Sequence, residues 1–266
     1  MKIGILSLCF FRHNEIKESL NSIYNSLIDS NNVKLCSVHL PSPKSNEVIQ
    51  EIKNSDFKNK FLINYSVNHV SSSLLSASLE TDIFNDCEFI AVTETDIRIV
   101  TKGCIEKCCE VLIKHPEICY VSPEYDTTDN YHRYAVNDAG WIPQLYPYQN
   151  NIMRTSSRGY QLLVWRKNDW IEFCKDVKNG MFINNKEKSY GIMDGNSSIW
   201  AYNKKRSIIA VLKDNLIIHS GWDVYKTPSV DQEYLDYKNN LIKENNIWSL
   251  NNTKGNETYD FTVTTL

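Results

Sequence analysis

The first hundred residues alternate short apolar runs with longer amphipathic stretches, and this alternation limits the fold more than any other feature of the sequence. Apolar runs at residues 3–11, 33–40, 61–66 and 88–92 have the length and composition of buried strands. Helical spacing is clearest after the first run, where Asn14 is the predicted cap and one face collects Ile16, Leu20, Ile23, Tyr24, Leu27 and Ile28. Strands separated by helices favour a mostly parallel sheet with right-handed crossovers, so the sequence predicts an α/β, Rossmann-like fold.

The sequence predicts further elements, although the pattern loosens after residue 100. One helix is expected at 71–84, before that point. Beyond it, helices are expected at 105–113, 169–177, 194–204 and 231–244, and strands at 118–122, 159–166, 207–212 and 216–219. Residues 123–157 show little periodicity, and an aperiodic stretch of this length is usually functional. It holds six aromatic side chains, namely Tyr125, Tyr131, Tyr134, Trp141, Tyr146 and Tyr148. The polar residues after the last helix are expected to form a weakly ordered tail.

Composition limits the class of protein without identifying it. The chain has 266 residues, 42% of them hydrophobic, and a net charge of -3, which is ordinary for a soluble globular protein and gives no electrostatic case for nucleic-acid binding. No apolar run is long enough to cross a membrane, so we expect a cytoplasmic protein, with peripheral association as the available route to a membrane. Among the cysteines, Cys104, Cys108 and Cys109 lie at helical spacing, which favours buried small side chains in a reducing compartment over a metal site.

Two acidic residues stand at the end of the fourth apolar run, in the segment 88–96. Side chains alternate along a strand, so Glu94 and Asp96 project to the same side. A buried parallel strand that presents two carboxylates at its C-terminal end can hold a divalent cation in the crevice of an open α/β sheet. A substrate with phosphates would complete the coordination shell of that cation. The alternative is a solvated strand end with two surface acids.

The order of these features resembles that of the GT-A-type nucleotide-sugar glycosyltransferases, most closely the large inverting family 2. The matching segments are Leu-Ser-Leu-Cys-Phe-Phe-Arg-His-Asn-Glu at 6–15, Glu-Thr-Asp at 94–96, Met-Asp-Gly at 193–195 and Ile-His-Ser-Gly at 218–221. The resemblance covers roughly residues 1–225. It implies a GT-A fold with a nucleotide-sugar-binding half at 1–100, an acceptor-binding half at 101–225 and a C-terminal helix and tail at 226–266.

The resemblance also implies roles for individual residues around a divalent cation, Mn or Mg. Asp96 and His219 would bind the cation, since carboxylate oxygen and neutral imidazole both suit these ions. Glu94 stands where the family usually has Asp, and its greater length allows contact with the donor ribose or action through water. Asp194 would be the base that takes the proton from the acceptor hydroxyl in inverting transfer. A helix N-cap is the alternative role for Asp194.

A second group of residues lies where the first strand meets the first helix, a loop that in this fold borders the base and ribose of the donor. Ser7, Cys9, Arg12 and His13 are the donor-binding candidates there, and Asn68 is a further one before the helix that precedes the acid pair. The aromatic residues between 125 and 148 would form a wall for the acceptor, because aromatic faces pack against sugar C–H surfaces. The implied partners are a nucleotide-sugar donor, first of all a UDP-sugar, and a glycan or lipid-linked saccharide acceptor.

Other functions were weighed against the same residues. A dinucleotide oxidoreductase is excluded because no G-x-G-x-x-G follows the first strand. A nucleotidyltransferase uses a similar sheet and acids but usually has a glycine-rich first loop, and the loop here has no glycine. A sugar- or nucleotide-binding scaffold without catalysis stays open because Glu94 replaces the usual Asp. The absence of Gln-x-x-Arg-Trp argues against a processive synthase, and the Lys- and Asn-rich composition points to bacterial surface polysaccharide synthesis.

Overall fold

The computed structural model describes residues 1–68, 73–126, 145–181, 183–184, 188–189, 194–205, 207–220, 231–244 and 260–266. The strands are β1 (Ile3–Cys9), β2 (Val33–His39), β3 (Asn59–Tyr65), β4 (Phe89–Glu94), β5 (Ile97–Ile99), β6 (Ile118–Tyr125), β7 (Leu145–Gln149), β8 (Ile152–Thr155), β9 (Leu163–Arg166), β10 (Ile183–Asn184), β11 (Lys188–Ser189), β12 (Ile208–His219) and β13 (Phe261–Thr265). The helices are α1 (His13–Ser26), α2 (Ser45–Asn54), α3 (Ser73–Leu79), α4 (Cys104–Lys114), α5 (Lys167–Lys178), α6 (Asp194–Trp200), which a π-helical turn (Ala201–Lys205) continues, and α7 (Gln232–Glu244).

Eleven strands form one mixed sheet with the order β13-β3-β2-β1-β4-β9-β6-β12-β8-β7, and β5 pairs with the end of β12. The strands β3, β2, β1 and β4 run parallel, whereas β9 is antiparallel to both β4 and β6. The chain moves outward from β1 to β3 and then returns to place β4 on the other side of β1. This change of direction is where open α/β sheets form a crevice at their carboxyl edge.

Helices cover both faces of the sheet, as the alternation of β1 requires. Ile5 packs into a core with α1, α2 and α4, and its neighbour Leu6 packs into a second core with α3, α5 and α6. The three cysteines of α4 are buried and free, as their helical spacing predicted. The predicted α/β fold with a sheet flanked by helices is therefore confirmed. The sheet is mixed rather than mostly parallel, because β5, β7, β8, β9 and β13 pair antiparallel with their neighbours.

The start of the first helix differs from the prediction. Asn14 is not the cap, because α1 already begins at His13 and Arg12 occupies the cap position without a side-chain cap hydrogen bond. Phe11 has a positive φ of 60°, which turns the chain immediately before the helix. The observed cap therefore lies two residues before the predicted one.

Three further elements correct the sequence prediction. The helix α2 was not predicted, because only Val48 and Ile52 of its ten residues are buried. The two strands expected at 207–212 and 216–219 are one strand, β12, in which Asp214 (φ 59°) forms an irregularity rather than a turn. The tail expected to be weakly ordered contains β13, which pairs antiparallel with β3. Within the described part of the chain, no helix is both long and apolar enough to cross a membrane.

Candidate metal and nucleotide site

The acid pair and His219 meet because β5 turns back against the end of β12. Glu94 is the last residue of β4, and Asp96 lies in the bend between β4 and β5. β5 then runs antiparallel to β12 and places Ile97 opposite His219. Ser220 follows, and its backbone N–H donates to the Asp96 carbonyl oxygen over 2.8 Å. The acid pair and the distant His219 therefore converge at the carboxyl edge of the sheet.

The spacing of these three side chains suits one divalent cation. One ligand atom from each of Glu94, Asp96 and His219 lies within 4.8 Å of the other two. His219 Nε2 is 3.3 Å from Asp96 Oδ1 and 3.9 Å from Glu94 Oε2. Ligands that share one ion at about 2.1 Å lie roughly 3 to 4 Å apart. Asp96 Oδ1 is buried, and its contact with His219 Nε2 does not have the geometry of a hydrogen bond, so an ion held between the two atoms would satisfy both.

The charge state of Asp96 favours cation binding. Burial would raise the pKa of Asp96, but the charges of His219 and Arg12 outweigh it and hold the pKa below its ordinary range. Arg12 is itself held in place, with its Nε 3.2 Å from Asp231 Oδ2 and its Nη2 3.7 Å from Glu15 Oε1. An ionised carboxylate is the form that binds a metal ion, so Asp96 is ready to serve as a ligand.

Glu15, in the first turn of α1, stabilises the segment after β12. The Ser220 hydroxyl lies 2.5 Å from Glu15 Oε2 and 2.9 Å from the Asp96 carbonyl oxygen. Arg98 of β5 pairs with Glu15 at 3.0 Å and also donates to Glu18. These bonds connect α1, β5 and the end of β12, so the bend that carries Asp96 is fixed from three sides.

Ser7 and Cys9, two of the predicted donor-binding residues, lie beneath this site. Both side chains are fully buried, and Ser7 Oγ is 3.7 Å from Cys9 Sγ and 3.3 Å from Ser37 Oγ. Burial raises the pKa of Cys9 to about 11, so the thiol stays protonated at neutral pH. Thr95 adds a hydrogen bond to the carbonyl oxygen of Leu8 over 2.9 Å. These groups form a polar floor, and their contact with a donor stays a prediction.

His39, which the sequence analysis missed, ends β2 at the same edge of the sheet. It is buried and lies opposite Cys9 of β1 in the strand register. Its Nδ1 is 2.6 Å from Asn64 Oδ1 on β3, so Nδ1 carries the proton and Nε2 is left as an acceptor. Burial lowers the pKa of His39 and favours this neutral form. Nε2 makes no hydrogen bond with the described residues.

An aromatic cluster, defined as Phe10, Phe11, Tyr234 and Tyr237, covers the loop after β1. Phe11 stacks on Tyr237 with ring centroids 5.4 Å apart, and Phe10 lies 5.8 Å from the same ring. Tyr234 is 5.6 Å from Phe11 and 6.3 Å from Phe10. Together with the ion pair of Asp231, this cluster docks α7 against the loop that the sequence analysis assigned to the donor.

Three further residues were predicted for the site, namely His13, Asn68 and Asp194. His13 begins α1 and Asn68 follows β3, and both are partly exposed. Asp194 is the first residue of α6, but its side chain lies outside the described part of the structure. The distance between Asp194 and the metal cluster therefore stays untested, and its role as the base stays a prediction.

The aromatic stretch assigned to the acceptor is divided in the structure. Tyr125 is buried at the end of β6, whereas Tyr146 and Tyr148 lie on β7 at the sheet edge. Tyr148 donates to Glu117 over 2.6 Å. The other three aromatic residues, Tyr131, Tyr134 and Trp141, lie outside the described residues. A continuous acceptor wall stays a prediction.

Several solved glycosyltransferases share this fold. The mannosyltransferase PcManGT from Pyrobaculum calidifontis, in complex with GDP-Man and Mn2+, has a TM-score of 0.57 and 11% identity over 82% of this chain and 56% of its own. TarS from S. aureus, in complex with UDP-GlcNAc, has a TM-score of 0.54 and 14% identity over 82% and 57%. GalNAc-T7 with UDP, GalNAc and Mn2+ has a TM-score of 0.58 and 6% identity over 82% and 43%.

The chain therefore has the fold of GT-A glycosyltransferases, as the resemblance in its sequence implied. It spans about half of the length of the solved chains that it matches. No protein-family model and no curated protein matches the sequence. Since one fold supports many activities, the activity has to be argued from the site.

Proposed function

We propose that this protein is a metal-dependent glycosyltransferase that moves a sugar from a nucleotide-sugar donor to a glycan acceptor. The observation that carries the proposal is the cluster of Glu94, Asp96 and His219 at the carboxyl edge of the sheet. The fold supports it, because PcManGT and GalNAc-T7 share this fold and were solved with Mn2+ and donor components. The cluster adds the chemistry that a fold alone does not supply.

Asp96 and His219 would hold the cation, with Glu94 as a third ligand or as a contact to the ribose. A bound Mn or Mg ion would neutralise the charge that develops on the nucleoside diphosphate as the sugar leaves. Ser220 and Arg12 would not contact the reacting atoms in this scheme. They keep the backbone and the charge of Asp96 fixed through the bonds described above.

His39 would bind the base of the nucleotide. Its Nε2 is an acceptor, and uracil and guanine both present a ring N–H donor, whereas adenine presents an acceptor at the corresponding ring nitrogen. β2 lies two strand spacings from β4, about 10 Å, so a nucleotide whose phosphates contact the cation can extend toward it. This assignment supports a UDP- or GDP-sugar as the donor, in keeping with the UDP-sugar favoured by the sequence.

Asp194 would accept the proton of the acceptor hydroxyl as its oxygen displaces the nucleoside diphosphate from the anomeric carbon, the role that an inverting single displacement requires. The position of Asp194 at the start of α6 is compatible with this role and with capping the helix. The acceptor would be a glycan or a lipid-linked saccharide of a bacterial surface polysaccharide, reached without a processive mechanism. The composition of the sequence and the lack of a Gln-x-x-Arg-Trp segment support this part of the proposal.

Calorimetry with UDP and GDP, each in Mn2+ and in chelator, tests the proposal. We expect tighter binding in Mn2+, because the cation links the cluster to the diphosphate. Equal affinity in metal and chelator would contradict the metal-bridged site. Slow release of sugar from a nucleotide-sugar by water, without acceptor, would separate an active enzyme from a binding scaffold.

A further inference from the structure

Arg158 is a buried cation next to the metal site that the proposed function does not use. Its side chain is 2% exposed and forms no ion pair with the described carboxylates. Nε donates to Ser122 Oγ over 2.9 Å and Nη2 donates to the Pro123 carbonyl oxygen over 2.7 Å. The guanidinium lies 3.6 Å above the centre of the Tyr125 ring. Burying a charge costs free energy, so a buried arginine with such specific contacts indicates that the residues around it must be held in a defined geometry.

The contacts of Arg158 organise the short segment that follows it. Tyr125, on which Arg158 stacks, donates its hydroxyl to Gln161 Oε1 over 2.6 Å. The Gln161 side chain folds back over Gly159, where a Cβ would come within 2.2 Å of Oε1. A side chain at 159 would therefore push the end of the flexible Gln161 side chain out of its present contact with Tyr125. Arg158, Tyr125 and Gly159 together hold residues 158–161 against the end of β6.

The same segment holds the end of β4, where a proposed ligand stands. The Glu94 backbone N–H donates to the Tyr160 carbonyl oxygen over 3.1 Å. Thr93 Oγ1 donates to the Gln161 carbonyl oxygen over 2.6 Å. Tyr125 also lies opposite Ile217 on β12, two residues before His219. Both strands that bring ligands to the cluster therefore contact this group of residues, because β4 bonds to residues 160 and 161 and β12 pairs with Tyr125.

We propose that Arg158 is a positioning residue for the metal site, acting through residues 159–161 to hold Glu94 against Asp96 and His219. The proposal rests on the proposed function, since it assigns a supporting group to that cation site. Partners that orient metal ligands typically change metal affinity by about 10- to 100-fold when they are removed. The guanidinium stacks and donates at fixed angles, so lysine should replace it only in part.

Arg166 supplies a matched control at the other end of the same strands. It also donates to backbone carbonyl oxygens, those of Ile118 and His115. In the strand register, however, it lies opposite Phe89 at the start of β4. Arg158→Met, Arg158→Lys and Arg166→Met are compared with the parent chain by titration with Mn2+ alone and by melting temperature. We expect Mn2+ affinity to fall about tenfold in Arg158→Met and less in Arg158→Lys. Arg166→Met should lower the melting temperature and leave Mn2+ affinity within about twofold of the parent.

Gly159→Ala gives a variant that leaves Arg158 in place. The added methyl group displaces Gln161 from Tyr125, so Mn2+ affinity should fall in this variant as well, and it replaces Arg158→Met if the latter does not fold. Parental Mn2+ affinity in folded Arg158 and Gly159 variants, or an equal loss in Arg166→Met, would overturn the positioning role.

Hydrogen exchange at the Glu94 amide separates this inference from the proposed function. The amide is bonded to the segment that Arg158 organises, so its exchange should be faster in Arg158→Met and unchanged in Arg166→Met. If the parent binds no Mn2+, the metal proposal fails and this exchange decides alone. Faster exchange supports positioning of the end of β4 by Arg158, and unchanged exchange rules it out.

Discussion

At the scale of residues, two buried acceptor atoms indicate which ligands the site can bind. Asp96 Oδ1 and His39 Nε2 are buried acceptors at the carboxyl edge of one sheet, and neither is satisfied by the described residues. A buried acceptor without a donor costs about 1–3 kcal/mol, so a folded protein retains it where a ligand completes it. The two atoms differ in chemistry, because an ionised carboxylate suits a cation and a neutral imidazole suits an N–H group.

Asp96→Asn should remove metal-dependent binding while leaving the fold intact. The amide lacks the negative charge that draws the cation, so affinity for UDP in Mn2+ should fall at least about tenfold. Calorimetry in Mn2+ and in chelator measures the change. Asp86→Asn is the control, because among the described residues Asp86 pairs with Lys2 and Lys34, at the opposite edge of the sheet. A loss of affinity in both variants would point to a general effect of charge.

Asp194→Asn should slow transfer by about 100-fold or more, the usual scale for a general base. Donor affinity and melting temperature should change little, because asparagine caps a helix nearly as well as aspartate. Glu47→Gln, an exposed acid in the first turn of α2, is the control. Rate, donor affinity and melting temperature are measured on one preparation. A fully active Asp194→Asn excludes Asp194 as the base, and a product that keeps the donor anomeric configuration excludes the inverting mechanism.

His39→Phe should weaken UDP binding without changing how tightly the site binds the diphosphate group. A planar aromatic ring is kept, although phenyl is larger than imidazole, and the acceptor is lost, so affinity should fall about 2- to 12-fold, the range for one hydrogen bond. Pyrophosphate with Mn2+ has no base and should bind the variant and the parent equally. Calorimetry with both ligands checks the difference, and an equal loss for pyrophosphate would show that His39 acts on the phosphate side instead.

At the scale of elements, α7 is joined to the loop after β1 by charge and by aromatic contact. Asp231 pairs with Arg12, and Lys44 after β2 pairs with Glu233 at 3.3 Å. Tyr237 also donates to the Pro41 carbonyl oxygen over 3.4 Å. The helix therefore contacts the chain after both β1 and β2, the two strands nearest to the proposed base site.

Tyr237→Ala should loosen α7, whereas Tyr237→Phe should not. Alanine removes the ring stacked on Phe11, and such aromatic pairs contribute about 0.5–1.5 kcal/mol beyond the area they bury. Phenylalanine keeps the ring and loses only the long hydrogen bond to Pro41. Hydrogen exchange of the α7 amides measures the effect. Equal protection in both variants would show that the ion pairs alone hold the helix.

Elements with a strong local pattern could be predicted, and those that depend on distant partners could not. The strands β1, β2 and β4 are apolar because helices cover both of their faces, and α1 shows a clean stripe. The strand β13 is mostly exposed and has only Phe261 and Val263 as large apolar residues, so nothing local marks it. Asp214 reads as a turn residue, but β12 continues through it because β6 and β8 lie on either side.

The same distinction applies to the residues of the site. Glu94, Asp96 and His219 stand at strand ends, which the sequence marks clearly, and the structure brings them together. His39 and Arg158 were missed because each has its meaning only through partners on other strands. No spacing in the sequence reveals that Asn64 sets the proton on His39 or that Arg158 lies over a tyrosine.

At the scale of the whole molecule, ligand binding should appear as thermal stability. A ligand at 100 times its dissociation constant adds about 2.7 kcal/mol to the native state. For a chain of this size, that corresponds to a rise of roughly 5 to 10 °C in melting temperature. We expect this rise in melting temperature when the parent chain binds UDP with Mn2+. The rise should be much smaller for the parent with UDP in chelator and for Asp96→Asn with UDP and Mn2+. A rise that is the same in chelator contradicts the prediction.

The pairing of β13 with β3 has a consequence for how the chain reaches its native state. Their partners, such as Val263 and Ile63, are separated by most of the chain, so closing this contact carries a large entropic cost and is slow. Until then β3 presents an open row of N–H and C=O groups, and such an edge can recruit a strand from another molecule. Refolding at high protein concentration should therefore favour association through β3, and yield should fall as concentration rises.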